Sequence, residues 1–273
     1  MSRKKDVYLY LVNCLQKQEK SSVKFWLGYL IGGLGIFRVT YYYLAFAGIN
    51  AVQLFEPWIL CISFRSSQLF LFLGYLMVLS NVPFTSDVHT QLIYRTNRSM
   101  WSRVSCIYIL WQTIVYYIVL FAVSCLMSLI HGYSGNIWSK TIYRLATFGS
   151  LVAATNYHTS VNEEILHKWL PYSAAFNGLL LIILYSLIIV GIFYCMNILT
   201  NRFIGGIVAL MVHFVGYMMC SDLHMFGNFG KLSLLANANL EYLFNILYSY
   251  ALFILIIIVI YAIINKIQKW IQL

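Results

Sequence analysis

The sequence predicts an all-α polytopic membrane protein, and three observations carry that reading. Of the 273 residues, 61% are hydrophobic and only 10% are charged. The mean hydropathy is +0.77. The apolar residues gather into long continuous runs, whereas a barrel strand would alternate, and inside lipid only a helix or a closed barrel satisfies its own backbone. Continuous runs therefore mean helices, and a soluble core of this composition is excluded.

Runs of about 20 apolar residues, the length that crosses a bilayer, lie near 25–46, 59–82, 104–131, 175–199, 203–220 and 243–264. Six spans are predicted. Pro57, Pro83 and Pro171 fall at span ends, where a missing backbone donor does least harm. Trp26, Trp58, Trp101, Trp138, Trp169 and Trp270 sit at span edges, as an interfacial aromatic belt predicts, with Trp111 the exception. No internal repeat or low-complexity segment divides residues 1–273, which read as one membrane domain.

Residues 1–23 come first. Tyr8, Leu11, Val12 and Leu15 recur at helical spacing while Lys5, Asn13, Gln16, Lys17 and Lys20 fill the other faces. This pattern predicts an interfacial helix on the inner leaflet rather than a removable signal. In the first span, Gly28 and Gly32 form a small-xxx-small face for close helix approach. Arg38 in that span needs water, a carboxylate, an anionic ligand or a snorkelling route to the interface, and Arg65 lies nearer the end of the second span. Tyr41 and Tyr42, with Arg38, are candidates to line a conduit. Residues 83–103 form a basic cytoplasmic segment: Pro83 stops the second span, Ser86 or Asp87 caps a short helix, and Val88 and Leu92 give it an apolar face.

Residues 133–174 are predicted to be an external loop with helices of its own. Trp138, Ile142 and Leu145 mark one amphipathic stretch, and Val161, Ile165, Leu166, Trp169 and Leu170 mark another. Asn162 is placed to cap the second, with Glu163 and Glu164 at its positive end. Residues 221–240 are predicted to form a second external or re-entrant element.

Lys and Arg set the orientation. Most of the 18 lie in the termini, in 83–103 and at Arg202, against Lys140, Arg144, Lys168 and Lys231 on the opposite side. The positive-inside rule then makes both termini cytoplasmic in a multi-pass protein of the cell membrane. The formal net charge of +10 reads as topology and contact with anionic lipid, not as nucleic-acid binding. Cys14, Cys61, Cys106, Cys125, Cys195 and Cys220 are scattered with no CxxC pair, so neither a zinc site nor a disulfide framework is predicted.

Energy sources are missing. The glycine-dense GYLIGGLGIF (28–37) lacks the Gly-Lys-Ser/Thr ending of a phosphate-cradling loop. All eight acids, Asp6, Glu19, Glu56, Asp87, Glu163, Glu164, Asp222 and Glu241, fall outside the predicted spans. A proton-driven carrier usually places a carboxylate at membrane depth, so that class is disfavoured, with His213 in the fifth span its one support.

The stretch PFTSDVHTQLIYRTNRSMWSRVSCIYIL, residues 83–110, resembles the cytoplasmic loop of ABC-2-type transporter permeases of bacteria. In that family a short coupling helix joins spans two and three. The wider layout is similar, with an N-terminal interfacial helix, six spans and a short turn at Asn201 and Arg202. The long 133–174 loop departs from it. The resemblance implies an export permease subunit without catalysis of its own. ATP and Mg would be bound by separate ABC ATP-binding subunits, and a second permease subunit, identical or a sister, would complete the conduit. By carry-over, Asp87, His89, Gln91, Tyr94, Arg95 and Arg98 are the candidates for contact with the ATPase. Cargo stays open among peptides, antibiotics and lipid-like molecules.

The rival reading is a glutamate-dependent intramembrane protease of the CAAX-processing type, in which a carboxylate activates water. NEEILHKW offers Glu163, Glu164 and His167, and HMFGN offers His224 and Asn228. Lys168 stands where that pattern wants Arg. A metal site from His158, Glu164 and His167 lacks a second half.

Overall fold

The computed structural model describes residues 2–84, 98–153, 163–221, 233–240 and 245–270. Among them the helices are α1 (Ser2–Lys20), α2 (Val23–Ala47), α3 (Glu56–Ser63), α4 (Arg65–Val78), α5 (Arg98–Ser128), α6 (Lys140–Ala153), α7 (Glu163–Lys168), α8 (Pro171–Leu199), α9 (Arg202–Ser221), α10 (Leu234–Ala238) and α11 (Ile246–Trp270). The all-α membrane class is confirmed. Four helices among the described residues are long and apolar enough to cross a membrane: Val23–Ala47, Met100–Ser128, Pro171–Leu199 and Ile246–Ile267.

The other two predicted spans differ from expectation. The run 59–82 is not one rod, because α3 and α4 meet at 86°. The continuous apolar pattern hides the bend, since the residues that satisfy the freed carbonyls are polar side chains elsewhere. The Gln68 amide donates to Ile62 O, and Asn239 Nδ2 donates to Ser63 O at 3.2 Å. Backbone at membrane depth tolerates such a break only when neighbouring groups re-satisfy it. In α9 the apolar stretch Phe203–Met219 is shorter than the four spanning helices.

Helix α2 packs most extensively on α4, and glycine is the reason. A Cβ at Gly28 would stand 2.5 Å from Gly74 O and 2.6 Å from Val78 Cγ2, so the predicted small-residue face does bring the two backbones together. Tyrosines then lace α5 to its neighbours. Tyr116 donates to Leu71 O (2.9 Å), Tyr75 and Thr113 share a bond (2.6 Å), and Tyr117 meets Ser186 (2.6 Å). Helix α8 is the hub, touching α3, α5, α9, α10 and α11. Two-thirds of its apolar window is buried, against 11% for α11 at the periphery.

The two ends of the bundle are built differently. At one end α1 buries Leu11 and Leu15 while exposing Val7, Leu9 and Tyr10. Asn81 Nδ2 donates to Glu19 (2.9 Å), Asn197 Nδ2 to Val82 O (2.7 Å), and Ser102 Oγ to Asn265 (3.0 Å). At the other end a two-residue parallel bridge joins β1 (Val52–Gln53) to β2 (Gly132–Tyr133). Helices α6 and α7 lie there and bury Ile142, Leu145, Ile165 and Leu166, the apolar faces read from the sequence. Val161 and Asn162 lie outside the described residues. So do 222–232 of the predicted re-entrant element, whose remainder contains the buried helix α10.

The tryptophan belt needs correction. Trp26 is exposed, but Trp58, Trp101 and Trp138 are buried, and the supposed exception Trp111 is exposed on α5. Trp58 turns inward because α3 folds into the bundle at the bend. Trp138 fastens the loop instead of meeting lipid, its indole donating to Trp169 O at 2.7 Å. Cys14, Cys61, Cys106, Cys125 and Cys195 are free thiols.

Candidate functional site

Glu56 and His213 each anchor a polar centre in the apolar interior. The first is Glu56, at the start of α3 and fully buried. Its Oε2 accepts from Tyr43 Oη (2.6 Å), the Gln53 amide (2.9 Å) and Ser139 Oγ (2.8 Å), while Oε1 accepts from the Ser139 amide (2.7 Å). Ser139 also caps α6, its hydroxyl accepting from the Ile142 amide at 3.2 Å. One carboxylate thus ties the end of α2, the β1 strand, the α3 start and the loop helix α6 together. Four donors at 2.6–2.9 Å compensate the burial of the carboxylate. Burial first, and the neighbouring Glu56 charge second, raise the Tyr133 phenol above its ordinary pKa. The sequence reading places Glu56 among the acids outside the spans. The structure makes it a buried structural knot, a role that carboxylate composition alone does not reveal.

The second centre lies deeper, where α4, α8 and α9 converge. His213 on α9 stacks on Phe72 of α4, with ring centroids 4.2 Å apart and planes at 11°. Its Nδ1 shares a hydrogen bond with Tyr185 Oη of α8 at 2.8 Å. A small cavity beside it is lined by Gln68, Phe72, Tyr117, Tyr185, Ser186 and His213, with apolar side chains closing the rest. Ionisable or strongly polar groups at membrane depth mark candidate functional sites. Of these residues the sequence reading singles out only His213. Gln68 and Ser186 carry no periodic signal, and Tyr185 sits in an apolar run like any lipid-facing tyrosine.

The predicted site residues are distributed as follows. Asp87, His89, Gln91, Tyr94 and Arg95 lie outside the described residues. Arg98 opens α5, with its side chain likewise undescribed. Arg38, Tyr41 and Tyr42 are exposed on α2, on the outside of the bundle rather than around an internal cavity. The Arg38 guanidinium stands 6.0 Å from the Phe64 ring centroid, at the outer limit of a cation–π contact. Of the rival protease set, Glu163, Glu164 and His167 are exposed on α7, with Glu164 bonded to Lys168 at 3.0 Å, and His224 and Asn228 lie outside the described residues. Among the described residues no group of three His, Cys, Asp or Glu side chains is placed to hold a metal ion.

Comparison with protein-family models, with curated proteins and with solved structures finds no match. The functional reading therefore rests on the residues themselves.

Proposed function

We propose that the chain is the membrane-spanning permease subunit of an ATP-driven ABC exporter of ABC-2 type, with ATP hydrolysed by a separate subunit. The observation that carries the reading is the basic segment 83–103, written PFTSDVHTQLIYRTNRSMWSR, in a chain without a phosphate-cradling loop. The placement of its flanks supports it. Helix α5 packs on α1, and Asn81, just after α4, bonds Glu19 of α1, so both sides of residues 85–97 lie at the α1 end of the bundle. Lys17, Lys20, Lys24, Arg103 and Lys266 belong to helix ends on that side, which supports a cytoplasmic location for it by the positive-inside rule. On this reading the chain crosses six times, with the bent α3–α4 pair and the short α9 completing the set.

In the proposed mechanism, Asp87, His89, Gln91, Tyr94, Arg95 and Arg98 contact the ATP-binding subunit. Closure of the nucleotide subunits favours one state of the membrane domain through differential contacts. A second permease subunit packs on the exposed face of α2, where Arg38, Tyr41 and Tyr42 would then line the space between the two chains. Cargo is a peptide, an antibiotic or a lipid-like molecule. The protease alternative is weaker because its carboxylates are exposed to solvent rather than held in a restricted cavity.

The test is charge reversal at Arg95 and Arg98 together (R95E, R98E) in the reconstituted complex. Membrane insertion and complex yield are expected to be unchanged while transport no longer follows ATP hydrolysis. Transport that persists at the wild-type rate overturns the assignment of those residues.

A further inference from the structure

The cavity beside His213 carries an inference that stands whether or not the chain is a permease. His213 and Gln68 are almost fully buried, at 1% and 3% exposure, and both line the cavity. His213 Nε2 and Gln68 Oε1 have no hydrogen-bond partner in the protein among the described residues. Buried polar atoms are satisfied nearly everywhere else in proteins, so each such atom asks for a partner.

Neither side chain can relieve itself by turning. The Gln68 amide nitrogen is committed to Ile62 O at the α3–α4 bend, and a flip would set oxygen against oxygen there. The His213 ring is held by Tyr185 at Nδ1 and by the Phe72 face, and a flip would put a carbon against the Tyr185 hydroxyl.

Size and charge identify the ligand class. The cavity has a volume of about 10 Å³, at the lower bound for holding a single water. No lining residue carries a carboxylate, so a bound cation would have no counter-charge in a low-dielectric site. We propose that the cavity is a binding site for one water molecule, which joins His213 Nε2 of α9 to Gln68 Oε1 of α4. Both tautomers of His213 fit. When Tyr185 donates to Nδ1, the Nε2–H donates to the water and the water donates to Gln68. When Nδ1–H donates to Tyr185, the water donates to both. The water thereby adds a polar link between α9 and the helix that starts at the bend, beside the stacking of His213 on Phe72.

Radiolytic hydroxyl footprinting of the full chain in lipid nanodiscs tests this, because radicals born from an internal water oxidise the side chains beside it. Phe72 and Tyr185 are expected to be oxidised well above Phe253, an equally buried aromatic elsewhere in the bundle. Label at Phe72 and Tyr185 no higher than at Phe253 overturns the proposal, and this result needs no variant. In H213F, which keeps an aromatic ring on Phe72, and in Q68L, label at both positions is expected to fall to the Phe253 level. Labelling that survives in folded protein carrying both substitutions overturns the assignment of the two ligating atoms.

Discussion

Replacing Glu56 by alanine should be among the most damaging single changes available to this chain. The variant removes an acceptor that serves Tyr43 Oη, Ser139 Oγ and the amides of Gln53 and Ser139. The two hydroxyls already lie 3.2 Å apart and can bond each other, so they are partly rescued. The two amides are left buried without a partner. Each orphaned donor costs about 1–3 kcal/mol, so the loss is about 4 kcal/mol. Glu56→Gln separates shape from chemistry. Its amide oxygen can take the three-donor position of Oε2, but its NH₂ then faces the Ser139 amide, donor against donor, at a cost of about 1–2 kcal/mol. Unfolding by SDS titration in mixed micelles, followed by tryptophan fluorescence, reads both. The order wild type, E56Q, E56A is expected in steps of this size. An E56A protein within about 0.5 kcal/mol of wild type would refute the argument that the carboxylate organises this end of the bundle.

Other consequences are open to measurement. Gly28→Ala drives a methyl against Gly74 O and Val78 and should cost about 1–3 kcal/mol through overpacking, read in the same titration, whereas Gly33→Ala, with open space around it inside the same helix, should cost nothing and stabilise by up to about 1 kcal/mol. Asn239→Leu leaves Ser63 O unpaired at the bend and should cost about 1–3 kcal/mol. Trp138→Phe removes the bond to Trp169 O, and limited proteolysis should then cut within 140–170 at protease levels that leave wild type intact. Cys61 is fully buried and should react with a membrane-permeant maleimide only after denaturation.

Hydrophobic pattern makes the class, the helical runs and the Gly28 contact legible in the sequence, because each depends on residues close together along one helix. The amphipathic helices of the long loop are legible for the same reason, through Ile142, Leu145, Ile165 and Leu166. What the pattern cannot carry is distance along the chain. The α3–α4 bend depends on Asn239, and the Glu56 knot depends on Ser139, and neither partner is marked by local periodicity. The tryptophans mislead in the same way: position near a span end predicts a belt, but Trp58 and Trp138 are spent inside the protein on the bend and on the loop. At the His213 site the lone histidine is visible in an apolar run, while Tyr185, Phe72 and Gln68, which hold and surround it, look like ordinary span residues.

On the proposed function, residues 83–103 are the cytosolic contact through which another protein's nucleotide hydrolysis acts on this membrane domain. A photoreactive amino acid in place of Tyr94, irradiated in native membranes, addresses it directly. A covalent adduct between this chain and an ABC-type ATP-binding subunit is expected, with a yield that changes when ATP is added. Labelling of a cysteine at the same position by an impermeant reagent added outside intact cells would contradict it.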